Sequence, residues 1–315
     1  MILTARRTVK MKNILSRISS SWQLTLLLVC SSLLATTHVT MAAETNSGTA
    51  LRAKYAELHE QLSQNQFKRP LYLDSEESSS RLKGDIYALT DHPIAAVETA
   101  LNGATHWCDV LILHLNTKYC QASEGPSPTI TLRIGKKFDQ PIDDAYRVQF
   151  AYKVATSQPD YFDVTLNAKN GPLGTSDYRI SVEAVSLPNG KTFLHLTYSY
   201  AYGFTGRIAM QAYLGTVASD KVGFTKIDAQ ADNKSQYIGG VRGLVERNTM
   251  RYYLAIEAYL DALVAPPSQQ LEKRLQNWFN STELYPRQLH EMDRAAYLTM
   301  KRGEYQRQQQ VSSGR

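Results

Sequence analysis

The sequence predicts an α+β domain in which an antiparallel β-meander curves around one long helix near the end of the globular part. Three observations predict it. Beyond Pro128 the apolar residues change from a spacing of 3.6 to a spacing of 2. Short turn signals separate the alternating runs: Asp139-Gln140-Pro141, Gln158-Pro159-Asp160, Asn170-Gly171-Pro172 and Pro188-Asn189-Gly190. Connections this short force neighbouring strands to pair antiparallel. Finally, Gly239 to Leu263 returns to a helical period. Val241, Val245, Thr249, Tyr252, Ile256, Tyr259, Leu260 and Leu263 share one stripe, and Glu246, Arg247, Arg251, Glu257 and Asp261 lie opposite. Asn248 falls within the apolar stripe, where an amide without a partner costs about 1–3 kcal/mol. Arg207, Arg242, Glu246, Arg247 and Arg251 read as a solvated, partly salt-bridged surface.

The start of the chain reads as a leader. Arg6, Arg7, Lys10, Lys12 and Arg17 precede the apolar run at 22–35, and small residues follow up to Ala42 and Ala43. That is the order of a secretory signal, expected over residues 1–43. The run is shorter than the ~20 apolar residues of a spanning helix. Of 35 basic residues, five lie in this leader, so 30 remain against 29 acidic ones and the balance is near neutral. No dense basic patch interleaved with aromatics remains, which argues against nucleic acid as a partner. Export implies a periplasmic or secreted protein. Of the three cysteines, Cys30 belongs to the leader, leaving Cys108 and Cys120 as an even pair expected to be bonded in an oxidising compartment.

The remaining elements follow in order. Residues 48–66 carry Leu51, Tyr55, Leu58 and Leu62 at helical spacing, an amphipathic helix lying on the main body. A short strand is expected at Leu71–Leu73 and a longer one at Leu82–Leu89. Ile94, Val97 and Leu101 make the inner stripe of a helix whose first turn suits Pro93, with Asp91 or His92 as its cap. Trp107 to Leu115 reads as a second short helix. The meander strands are expected at 129–136, 145–155, 161–168, 177–187 and 191–202. Residues 204–218 read as a helix turning Ile208, Ala212 and Leu214 or Val217 inward. A strand near 221–227 and a polar loop at 228–236 lead into the long helix. After Pro266-Pro267, one tail helix at 268–280 buries Leu271, Leu275, Trp278 and Phe279. A second, at about 286–305, presents Leu289, Met292, Tyr297 and Met300. Met250 and Leu254 on the long helix are their expected docking points, and the chain from about Gln306 is expected to be disordered.

The last meander strand describes the interior. Leu194, Leu196, Tyr198, Tyr200 and Tyr202 point one way, and Phe193, His195, Thr197 and Ser199 the other. A row of tyrosines either packs against the long helix as ordinary core or lines a cavity with apolar faces and a few polar tips. Catalytic motifs are lacking: the sequence holds no GxSxG, P-loop, HExxH or paired CxxC. His92, His106, His114 and His195 are scattered; Asp109, close to His106 and His114, could form an acid/base group with them, although helical spacing alone makes such a coincidence common. No catalytic residue, metal site or cofactor is expected.

The segment GDIYALTDHPIAAVETALNGATHWCDV, the meander after it and GGVRGLVERNTMRYYLAIEAYL together resemble the START/polyketide-cyclase (Bet v 1-like, SRPBCC) helix-grip superfamily over about residues 82–263. The resemblance implies a curved sheet and a closing helix that enclose a cavity for a lipid or other hydrophobic molecule. Together with the leader, it divides the chain into a signal peptide (1–43), an N-terminal amphipathic helix and linker (44–80), a START-like helix-grip domain (81–265) and a C-terminal helical tail (266–315). The chain departs from the pattern by the extra 204–218 segment and the two tail helices. Tyr198, Tyr200, Tyr202, Asn248 and Tyr252 are the expected ligand-binding residues. The expected function is an exported binding protein for a hydrophobic small molecule or lipid, with transient membrane contact. A cyclase- or hydrolase-type enzyme of the same fold and a filled-core interaction protein are the alternatives.

Overall fold

The computed structural model describes residues 38–216, 219–227 and 236–313. Most of the expected leader and the loop at 228–235 lie outside the described residues. The chain divides into two compact units, Met1–Ser47 and Gly48–Arg315. The first is described only where α1 (His38–Glu57) begins. Among the described residues, no helix is long and apolar enough to cross a membrane.

In the second unit α1 is followed by α2 (His59–Ser63), β1 (Leu71–Glu77), β2 (Arg81–Thr90), α3 (Ile94–Leu101) and α4 (Ala104–Leu111). Then come β3 (Thr117–Ser123), β4 (Thr129–Ile134), β5 (Tyr146–Gln158), β6 (Tyr161–Asn170), β7 (Thr175–Ser186) and β8 (Thr192–Tyr202). The chain continues through α5 (Phe204–Gly215), the two-residue strands β9 (Lys226–Ile227) and β10 (Gln236–Tyr237), and α6 (Gly240–Ala262). The tail holds α7 (Pro267–Glu283), α8 (Pro286–Leu289) and α9 (Arg294–Ser313).

The eight longer strands form one antiparallel sheet in the order β1-β2-β8-β7-β6-β5-β4-β3, so the expected meander is its continuous centre. Register shifts at Thr117/Tyr119, Val154/Thr156 and Ser176/Arg179 bend it. At the last of these Asp177 takes φ 49°, a left-handed conformation that Asp tolerates better than most residues. The long helix α6 lies against one face of the curved sheet, packed on β1, β2 and β8. It approaches closely at Gly84, where a side chain would collide with Thr249 Oγ1. This is the helix-grip arrangement. Leu51, Leu58 and Leu62, with Tyr55, cover the other face over Tyr161, Val185 and Phe193, as the spacing in 48–66 predicts.

Cys108 on α4 and Cys120 on β3 form the expected disulfide, with Cα atoms 5.3 Å apart. Strand β3 itself is not expected from sequence, and β1 runs four residues beyond the expected Leu73, to Glu77. Neither Asp91 nor His92 caps α3: Pro93 occupies that position, Asp91 pairs with Lys191 at 2.7 Å, and His92 Nε2 meets Asp261 at 2.8 Å. In α5 Met210 is buried, whereas Ile208 is 50% exposed and Ala212 is exposed, the reverse of the expected inner face. The helix is amphipathic only weakly, and its contacts are to the turn at Pro172–Gly174, to α6 and to β8.

The larger correction concerns α6. Glu246, Arg247 and Arg251 are buried, not solvated. The tail covers that side: α7 packs along α6, Met250 and Leu254 are buried as expected, and Trp278 Nε1–H donates to the main-chain carbonyl of Arg251 at 3.1 Å. Buried charge is tolerated because each group is bonded. Glu246 accepts from Ser75 Oγ (2.6 Å), Thr225 Oγ1 (2.6 Å) and the main-chain N–H groups of Phe224 (2.5 Å) and Thr225 (2.9 Å). Arg251 pairs with Glu291 at 2.6 Å. The end of the chain is helical to Ser313 rather than disordered from Gln306, and Gln308 is buried.

Candidate functional site

Between the sheet and α6 lies a cavity of about 150 Å³ lined by His114, Asn116, Leu132, Ile134, Val148, Phe150, Pro172, Tyr178, Tyr198, Asn248 and Tyr252. Leu132, Val148 and Phe150 come from β4 and β5, where alternation turns them inward. Tyr178 and Tyr198 stand on β7 and β8, and Asn248 and Tyr252 are one helical turn apart on α6. The aromatic rings form a connected wall. Tyr198 lies 5.0 Å from Tyr252 and 6.3 Å from Tyr178, and Tyr252 stacks on His114 at 4.9 Å.

Three of the five expected ligand-binding residues, Tyr198, Asn248 and Tyr252, therefore line one space. Tyr200 and Tyr202 do not. Tyr200 stacks on Tyr178 at 5.1 Å and directs its hydroxyl to Met210 Sδ at 3.7 Å, so it belongs to the packed layer beneath α5. Tyr202 faces a separate, open groove of about 550 Å³ with Arg207, Met210 and Arg242, and its hydroxyl donates to the Ser78 carbonyl at 3.0 Å.

The polar tips in the cavity have a definite sense. The Asn116 main-chain N–H donates to His114 Nδ1 at 3.2 Å, which places the proton of a neutral ring on Nε2. Nε2 has no hydrogen-bond partner among the described residues, although the side chain is buried. Burial, aided by Arg251, Lys301, Lys137 and Lys118, pushes the imidazole well below its ordinary value, so the ring is neutral at pH 7. Asn248 turns its Oδ1 to Arg251 Nη1 at 3.4 Å, which leaves its NH₂ end as a donor. Asn116 Nδ2 is already committed to the Gly135 carbonyl at 2.6 Å. Burial raises the hydroxyls of Tyr178, Tyr198 and Tyr252, keeping them protonated.

Sequence reasoning missed His114, Asn116, Tyr178 and Phe150. Tyr178 could have been found, because it alternates inward with Ile180, Val182 and Ala184 on β7. His114 could not, since it sits in the turn after α4, where no periodicity reports direction. The suspected grouping of Asp109 with His106 and His114 does not form: Asp109 pairs with Arg274 at 2.7 Å. On the opposite face His195 is held between Asp85 (2.8 Å) and Glu183 (3.1 Å), stacked on Tyr87 at 4.1 Å. Among the described residues no cluster of His, Cys, Asp and Glu is arranged to hold a metal ion.

No protein-family model matches the chain. No curated protein matches it either. Solved structures that align with it include truncated norcoclaurine synthase from Thalictrum flavum, 12% identical over 46% of this chain and 91% of that one, with a TM-score of 0.31. Ara h 8.0201 is 12% identical over 61% and 99%, with a TM-score of 0.31. Human StAR-related lipid transfer protein 5 is 9% identical over 57% and 92%, with a TM-score of 0.30. At such identities and scores none of them bears on what this chain binds, and the fold assignment rests on the strand order and the closing helix.

Proposed function

We propose that this chain is an exported binding protein that holds a hydrophobic small molecule between its sheet and its long helix. The observation that carries the reading is the convergence of Tyr198, Asn248 and Tyr252 with Leu132, Val148 and Phe150 on one interior space. Apolar walls with a few convergent polar groups are the usual make-up of a ligand site. The volume, about 150 Å³, favours a small molecule over a lipid with long acyl chains, since sites for drug-sized ligands run to roughly 300–1,000 Å³. Export is supported by the basic, apolar and small-residue order of the first 43 residues and by the Cys108–Cys120 bond. Transient membrane contact is supported by Phe204 (80% exposed), Ile208 and Leu173, apolar side chains on α5 and the turn packed against it.

Native mass spectrometry of protein purified from its own cells tests the reading, alongside the variant Val148→Phe, which fills the cavity. A small adduct present on the unmodified protein and lost from the variant is the expected result. If the unmodified protein carries and takes up nothing, and Tyr198→Ala merely destabilises it, the tyrosine wall is a packed core and the reading fails.

A further inference from the structure

Two polar groups of the cavity, His114 and Asn248, are left as hydrogen-bond donors. His114 presents a buried Nε2–H that meets no acceptor among the described residues. Asn248 has its oxygen turned away to Arg251, so it too offers N–H groups. Tyr198 and Tyr252 stand beside them on the same wall with protonated hydroxyls. A buried donor left unmatched is costly, and native interiors leave few of them. The surroundings favour negative charge: Arg251, Lys137, Lys118 and Lys301 lie close enough to act on His114, and the carboxylates that pair with them are Glu291 and Glu304. Size bounds the other side of the problem. A cavity of about 150 Å³ matches the engineered apolar cavity of the same size, in another protein, that accepts one benzene. The flat rings of Phe150, Tyr178, Tyr198 and Tyr252 supply aromatic faces and edges at 5.0–6.5 Å spacing around it.

We propose that the cavity selects a single-ring aromatic molecule through an oxygen acceptor that receives hydrogen bonds from His114 Nε2 and the Asn248 amide. The inference rests on the reading of this space as the ligand site and adds the ligand's size and the polarity of its one functional group. The oxygen lies at the His114 end, toward the cations, and the ring lies among Phe150, Val148 and Leu132. A carbonyl, a phenolic oxygen and a carboxylate share this chemistry, and the cations rank the carboxylate first.

Three probes of nearly equal shape decide it: benzoate, acetophenone and ethylbenzene, titrated into the full-length protein by calorimetry, with His114 followed by imidazole NMR. Benzoate and acetophenone are expected to bind at least about tenfold more tightly than ethylbenzene, the worth of one buried hydrogen bond, and to shift the Nε2 resonance. His114→Phe and Asn248→Leu should each remove that preference while ethylbenzene still binds. Should either variant fold poorly, the Nε2 shift in the unmodified protein remains the deciding measurement. Equal binding of all three probes, or a preference that survives both variants, overturns the proposed acceptor recognition and leaves the cavity as a ligand site. Binding of none of them overturns both readings.

Discussion

Gly84 on β2 and Thr249 on α6 touch so closely that any side chain at 84 would strike Thr249 Oγ1 and lie 3.1 Å from its Cβ. The contact sets how deeply the helix sits in the sheet. Gly84→Ala should therefore lower stability by about 1–3 kcal/mol, the usual cost of overpacking a well-filled core. Thr249→Ala removes the obstructing hydroxyl along with its bond to the Val245 carbonyl. Chemical denaturation of both single variants and the pair should reveal a favourable coupling, and strict additivity would mean that the contact is not what limits the approach.

His195 predicts a dependence of stability on pH. Burial disfavours its charged form, but hydrogen bonds to Asp85 and Glu183 outweigh burial and raise its value. A raised folded value means that the contribution is complete below the unfolded value, near 6.5, and is lost as pH rises through the folded one. The two carboxylates are lowered, Glu183 mainly by its bond to His195 and Asp85 by bonds that overcome its burial, so their contribution fades only in acid. Melting temperature should fall as pH rises above about 6.5, and His195→Gln should flatten that slope.

Asp163 works in the opposite sense from its acidic neighbours. Burial, assisted by Glu183, lifts its carboxyl to about 6, and its Oδ1 has no partner among the described residues. A carboxyl with a raised folded value stabilises the fold while protonated and costs stability as pH climbs from about 4 to 6. Asp163→Asn should therefore stabilise the protein at pH 7 by roughly 1–2 kcal/mol, allowing for solvent screening, and leave it unchanged at pH 4. A loss of stability at pH 7 would contradict this account.

Truncation after Leu263 should yield insoluble protein. It removes Leu275, Trp278, Leu289 and Tyr297 from the core and leaves Met250, Leu254 and Arg251 uncovered. Recovery of a soluble fragment with an unchanged melting temperature would show that the tail is dispensable.

The sheet was legible in the sequence because alternation and turn residues are local signals: β4 to β8 lie within a few residues of their expected limits. The grip of α6 was legible for the same reason on its apolar stripe. What local pattern could not supply was the fate of its charged side. Glu246 is buried because Ser75, 171 positions away, and the 224–225 backbone, 22 and 21 positions away, reach it, and Arg251 because Glu291, 40 positions away, does. The candidate site divides in the same way. Tyr198, Asn248 and Tyr252 followed from strand and helix periods, whereas His114 and Asn116 enter from an irregular turn. The split of the tyrosine row at Tyr200 depends on where α5 docks, which its sequence does not specify. Strand β3 escaped notice because its polar Thr117 and Lys118 are buried by partners on α9.

Strand β3 is also the last in the sheet, with one side that no strand among the described residues covers. There α9 supplies side chains in place of a neighbour. Gln308 Oε1 accepts from the Cys120 N–H at 3.1 Å, and Lys301 Nζ donates to the carbonyls of His114 and Thr117 at 2.6 and 2.9 Å. Lys118 and Glu304 pair at 2.9 Å within the same seam. An open strand border is a template on which a second chain can add. The final helix thus guards the protein against self-recruitment, and a molecule shorn of α9 would expose a border on which copies can stack.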